Sequence, residues 1–261
     1  MSFIYIALNT FREAVRDKFL YLLMGFALLL ILVARAVGWV SAGLDNKVTT
    51  DLGLFAIWLF SALVSILIGT GMIYKEIDKR TLYTILSKPI ARWEFVLGKY
   101  IGLLLTSTVS LVGLSLAFLI YLKALGSPID WAILQAIVLT FFEIVMVTAL
   151  AILFSSASTP ILSAIFTFML FAVGQLTQWL VDFSTVVKTG SALTTRLLDG
   201  VYLLLPNLNN FNIRQQAVHA TSLGKTFAIP PDQMLAAILY SLSYTAAVLL
   251  LAVLVFRRRN F

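Results

Sequence analysis

KEIDKRTLYTILSKPIARWEFVLGK, residues 75–99, is the one long polar and charged stretch between two strongly apolar runs in the middle of the chain. Lys75, Lys79, Arg80, Lys88, Arg92 and Lys99 make it basic, and Glu76, Asp78 and Glu94 are its acids. Lys and Arg beside a membrane span resist translocation, so a short basic connection stays on the cytoplasmic side. The stretch therefore orients the spans on either side of it. It is also the natural place to touch a cytoplasmic partner.

The composition around it points to lipid. Of 261 residues, 61% are apolar and 12% charged, against roughly half and a quarter in a soluble domain. One soluble core cannot hide that much apolar surface, and the excess must face a bilayer. The net charge of +7 gathers at the ends of apolar runs rather than along one polar face, which reads as topology and argues against nucleic-acid binding. With no cysteine in the chain, disulfide scaffolds, thiolate metal sites and cysteine nucleophiles are excluded. A cleavable signal peptide is not expected, because the first apolar run is too long and an amphipathic stretch precedes it.

That stretch is residues 2–18. Phe3, Ala7, Phe11, Ala14 and Val15 share one face at helical spacing, with Asn9, Arg12, Glu13 and Arg16 opposite. The pattern predicts a helix lying in the membrane interface, apolar face down. Six spans follow at about 20–41, 53–74, 100–122, 132–154, 161–181 and 234–256, each near the roughly 20 residues needed to cross. A polar loop is expected at 42–52, a turn at 123–131, a tight link at 155–160, and a long outer-side segment at 182–233. With both termini inside, the cytoplasmic side holds twelve Lys and Arg residues, among them Arg12, Arg16, Lys18 and Arg257–Arg259. The outer side holds six: Lys47, Lys123, Lys188, Arg196, Arg214 and Lys225. The expected fold is an all-α integral membrane protein of six transmembrane helices preceded by an interfacial helix.

Within the outer segment, residues 193–205 are apolar but too short to span, NLNNFN at 207–212 reads as a turn, and 213–222 as a short polar helix. The single histidine, His219, has no second ligand beside it and reads as a solvated loop residue. HATSLGKT, ending at Thr226, lacks the first glycine of a phosphate loop and has no strand before it, so no nucleotide site is expected in this chain.

Two ionisable residues fall inside spans. Glu143 is near the middle of its span, where a charge costs several kcal/mol unless paired, hydrated or protonated. It reads either as a residue of a translocation path or subunit contact, or as a carboxyl bonded to a neighbouring helix. Arg35 lies about 26 Å along its helix from Lys18, close enough to the outer boundary to snorkel. Gly98 and Gly102 form a G-x-x-x-G pair that permits close helix approach.

Within the central stretch, residues 76–87 are compatible with a short helix carrying Ile77, Leu82, Ile85 and Leu86 on its apolar side; Pro89 breaks it and a second helix restarts at Arg92. The order Glu76, Thr81-Leu82, Leu86-Ser87-Lys88-Pro89-Ile90, Arg92, Glu94-Phe95 and Leu97-Gly98-Lys99 resembles the first cytoplasmic loop of ABC-2 type transporter permeases, the membrane subunits of bacterial six-span ABC exporters. The resemblance implies a single permease domain over 1–261 with an N-terminal elbow helix. It also implies a second permease copy or homologue, and a cytoplasmic ATP-binding cassette subunit that supplies ATP and Mg. The chain itself would hold no cofactor and catalyse nothing. By the same resemblance Glu76, Asp78, Lys79 and Arg80 are ATPase-coupling residues, Arg92 and Glu94 brace the following helix, and the location is the bacterial inner membrane. An ion- or proton-coupled carrier, or a non-transporting scaffold docking through the same loop, are the alternatives.

Overall fold

The computed structural model describes residues 2–39, 45–78, 91–177, 205–214, 218 and 229–258. All regular structure among them is helical. The elements are α1 (Ser2–Val15), α2 (Lys18–Trp39), α3 (Asp45–Asp78), α4 (Arg92–Ala124), α5 (Trp131–Ala157), α6 (Pro160–Gln175), a 3₁₀ turn (Leu208–Phe211) and α7 (Pro231–Arg258). Among the described residues, five stretches are long and apolar enough to cross a membrane: Lys18–Gly38, Asp45–Gly71, Arg92–Ala124, Trp131–Ala157 and Pro231–Arg258. The remaining expected span, 161–181, corresponds to α6. Its 16 residues cover about 24 Å, and the end of that expected span, 178–181, lies outside the described residues.

The helix ends follow local chemistry. Pro160 opens α6 at the first position, where a missing N–H costs nothing. Gly126 closes α4 in the left-handed conformation, φ 68°, and lets Ser127 N–H reach the Leu122 carbonyl at 3.0 Å, a C-terminal cap that only glycine adopts freely. Of the polar loop expected at 42–52, residues 45–52 are helical, since α3 begins at Asp45, and 42–44 lie outside the described residues. Its polar residues suit a helix start: Asp45 favours the positive end of the helix dipole, while Thr49 and Thr50 return their hydroxyls to the Asp45 and Asn46 carbonyls. Arg35 donates to Asn46 Oδ1 at 3.3 Å and lies 3.9 Å from Asp45, so it ends on polar partners, as its snorkelling position predicts.

α2 packs on α3, α3 on α5, α5 on α7, and α1 on α4. One buried cluster joins Ile31, Ile57, Phe118, Met146 and Phe211; a second joins Phe95, Leu103, Leu150 and Phe256. Contact is close where a small residue faces a large one. Gly53 lies under the Phe118 ring, which a Cβ would enter.

The partner of α1 differs from expectation. Ala7, Thr10 and Ala14 are buried, and they are buried against α4, not turned towards lipid. A Cβ on Gly98 would stand 2.9 Å from the Phe3 carbonyl oxygen, and one on Gly102 2.5 Å from that of Ala7. The G-x-x-x-G pair is thus the seat of α1. Ile4, Tyr5 and Leu8 are the exposed apolar residues instead. Periodicity located an apolar face, but the small residues within it decide which part packs on protein.

Gly102→Ala is expected to cost about 1–3 kcal/mol, the usual penalty for overpacking, read as a lowered unfolding temperature in detergent. Gly71→Ala is the control, since a Cβ there meets nothing within 4 Å. Equal shifts for the two variants would contradict the seat.

Candidate functional site

Two regions hold the residues that the sequence singles out. At the basic end, Glu76 and Asp78 fall in the last turn of α3, while Lys79 and Arg80 lie outside the described residues. Glu94 is in the first turn of α4, partly buried. Arg92, at the start of α4, reaches another helix. Its Nη1 donates to the carbonyls of Phe256 at 3.3 Å and Arg257 at 2.7 Å, so it caps the end of α7. The rings of Phe95 and Phe256 stack alongside, 5.4 Å between centroids and 16° apart. Lys99, read from sequence as a loop cation, is fully buried, with its ammonium 5.9 Å from the centre of the Phe95 ring. The stem of a lysine is apolar enough to enter a helix contact when its head finds a partner.

The second region is built around Glu143, buried in the middle of α5. Trp58 of α3 donates its indole N–H to both carboxylate oxygens, at 2.9 and 3.0 Å. Gln175, at the end of α6, donates its amide to Oε1. The Arg214 guanidinium lies over the Trp58 ring, 4.0 Å from its centre. Indole therefore separates the two charges: its edge serves the anion and its face the cation, an arrangement of favourable sign at both surfaces. Arg214 also donates from Nε to Asn212 Oδ1 at 3.0 Å. Burial pulls the guanidinium below its ordinary pKa, and the carboxylates of Glu143 and Asp51 act the other way.

Arg214, counted from sequence among the outer-side cations, is half-buried, because residues 205–214 fold back against the helices. Leu208 and Phe211 are buried. Gly174 of α6 admits the segment, since a Cβ there would stand 2.7 Å from the Pro206 carbonyl oxygen. Thr177 donates its hydroxyl to Asn207 Oδ1 at 2.8 Å, and Asn207 N–H donates to the Tyr240 hydroxyl at 2.9 Å. Further along, the Gln135 amide meets both backbone groups of Ile229, at 3.0 and 3.3 Å. Between these anchors lies a cavity of about 210 Å³ with Asn209, Asn210, Asn212 and Gln233 among its walls, and Leu139, one turn before Glu143, at its base.

The sequence flagged Glu143 but missed Trp58, Gln175 and Arg214. Gln175 was a visible signal, an amide closing an apolar run. Arg214 carried none, being 71 positions away in an irregular segment. Chemically, the cluster holds a carboxylate and joins four parts of the chain. Among the described residues, no three His, Cys, Asp or Glu side chains gather to hold a metal.

Glu143→Leu would strand the indole N–H and the Gln175 amide and leave the half-buried Arg214 guanidinium without the nearby anion. A loss of about 3 kcal/mol is expected from removing one partner of such a buried set. Glu143→Gln keeps an acceptor for Trp58 and should lose less. Unfolding followed by tryptophan fluorescence distinguishes them; a Leu variant as stable as the Gln variant would mean the cluster binds nothing together.

A family model described as ABC-2 family transporter protein matches residues 4–261. No curated protein matches the chain.

Proposed function

The chain belongs to the ABC-2 family of transporter proteins, and on that premise we propose that it is the membrane half of an ABC exporter powered by a separate cytoplasmic ATP-binding subunit. That it is a multi-pass membrane permease follows from the family and the apolar helices together. The finer reading rests above all on the charged stretch at 75–99. It includes the end of α3, at Asp78, and the start of α4, at Arg92, so a push on it is delivered to the ends of two long helices at once. Glu76, Asp78, Lys79 and Arg80 are its docking residues, offering both signs of charge to a soluble surface. ATP and Mg belong to the partner, and the chain itself hydrolyses nothing.

A second copy or a homologue completes the permease, and closure of the ATP-binding pair rocks the two halves between inward- and outward-open packings. Such switching is rigid-body motion between discrete arrangements of packed helices. The location that fits is the bacterial inner membrane. A proton-coupled carrier drew its support from Glu143; a carboxylate clamped by Trp58 and Gln175 reads more simply as an internal tie, which leaves the exporter as the stronger reading.

Purification of the tagged chain from native membranes, with Glu76→Arg/Asp78→Arg as the comparison, tests this. Co-purifying ATPase activity should follow the parent and drop about tenfold or more in the variant, since like-charge contacts at an interface cost several kcal/mol. A parent that brings down no ATPase, though correctly inserted, would refute the reading.

A further inference from the structure

We propose that α7 is a strut that carries movement of the 75–99 stretch to the segment at 205–214, with Arg92 as the positioning residue at its lower end. The inference rests on the docking role of 75–99 and adds a route by which docking is felt across the membrane.

Ties at both ends define the strut. At the basic end, Arg92 bonds the Phe256 and Arg257 carbonyls, groups that a helix C-terminus otherwise leaves without partners, and a cation there also suits the dipole. The Phe95–Phe256 stack adds a second grip one turn along α4. At the far end two neighbouring residues hold it: Ser241 donates its hydroxyl to the Phe142 carbonyl at 2.7 Å, directly beside Glu143, and the Tyr240 hydroxyl accepts from Asn207 N–H, its ring 6.4 Å from that of Phe211.

The body between these ties is stiff. From residue 232 to 258 the sequence has neither glycine nor proline, and α7 is one unbroken helix. Residues 240 and 256 are about 24 Å apart along it, so the ties at either end are most of a bilayer apart. α7 packs chiefly on α5 and lightly on α4, with Leu235, Leu239, Leu250 and Leu254 exposed along its outer face. The Arg92 turn is where α4 begins, within the same 75–99 stretch as the proposed docking residues, so displacement there pulls on the end of α7. Lying between two sites is not coupling, and the test must show energy passing between them.

The chain has no cysteine, so Asn210→Cys, at an exposed position of the segment, gives a single reporter thiol. The complex of this chain with its ATP-binding subunit, in lipid nanodiscs, is labelled with a polar maleimide without nucleotide and with ATP plus vanadate. The expected change in labelling rate is about fivefold or more, the lower range of ordinary allosteric couplings. Arg92→Gln in this background should abolish the change while the ATP-binding subunit still co-purifies, and Arg92→Lys, which retains a cation for the α7 carbonyls, should restore part of it. A purely structural role for Arg92 would alter subunit retention or labelling without nucleotide, not the response. An unaltered response in Arg92→Gln overturns the strut, as does a parent that binds its subunit yet shows no response. Absence of the subunit from the parent refutes the docking reading instead, and the strut with it. Should Arg92→Gln fail to reach the membrane, Tyr240→Phe decides: it removes the hydroxyl that accepts from Asn207, and a full response there also overturns the strut.

Discussion

A chain dissolved in hydrocarbon has no water to satisfy its polar groups, so each must find a partner within the protein. Much of this bundle can be understood as answers to that demand. Thr106, Ser110, Thr140, Thr148 and Thr167 return their hydroxyls to carbonyls one turn back. Other hydroxyls cross between helices: Ser65 to Ser107, Ser155 to the Thr70 carbonyl, Tyr100 to the Val145 carbonyl. Such links orient helices where lipid gives them no hydrophobic reason to meet. Glu143 is the extreme case. Its carboxylate takes donors from α3 and from α6, and a segment outside the long helices folds in to set a cation on the other face of the Trp58 indole.

The second constraint is distance. Without hydrophobic pressure, helices gain by approaching closely enough for dispersion contact, which small residues permit. Gly53 accommodates Phe118, Gly174 accommodates Pro206 and Leu208, and Gly98 with Gly102 accommodates α1. These contacts set which helices are neighbours; the hydroxyl and amide links then set their rotation.

Sequence reading recovered what depends on local pattern and lost what depends on partners. Hydropathy is carried by single residues over windows of about twenty, so the long apolar runs emerged close to where the helices are. The start of α3 was read too late because Asn46, Thr49 and Thr50 look like loop residues until their hydroxyls and amides are seen to serve a helix end. α1 was recognised as a helix, yet periodicity cannot tell whether an apolar face meets lipid or Gly102. Glu143 stood out by its rarity, while its dependence on Trp58 and Arg214 joins positions with no common period. Of the docking residues, Lys79 and Arg80 lie outside the described structure, and Glu76 and Asp78 are placed only by their backbone at the end of α3.

The grip of Gln135 on Ile229 has an evolutionary side. A primary amide presents a donor and an acceptor, and here it meets the N–H and C=O of a single residue, much as a neighbouring strand would. Recognition of this kind ignores the side chain at 229. As far as this bond is concerned, that position is free to drift, and closed to proline alone, which has no N–H to give. The two residues after it are prolines, so Ile229 offers the last backbone donor before α7 begins. The burden of fixing where the chain re-enters the bundle thus falls on position 135, 94 residues earlier, where neither Glu nor Leu offers the same pair of groups.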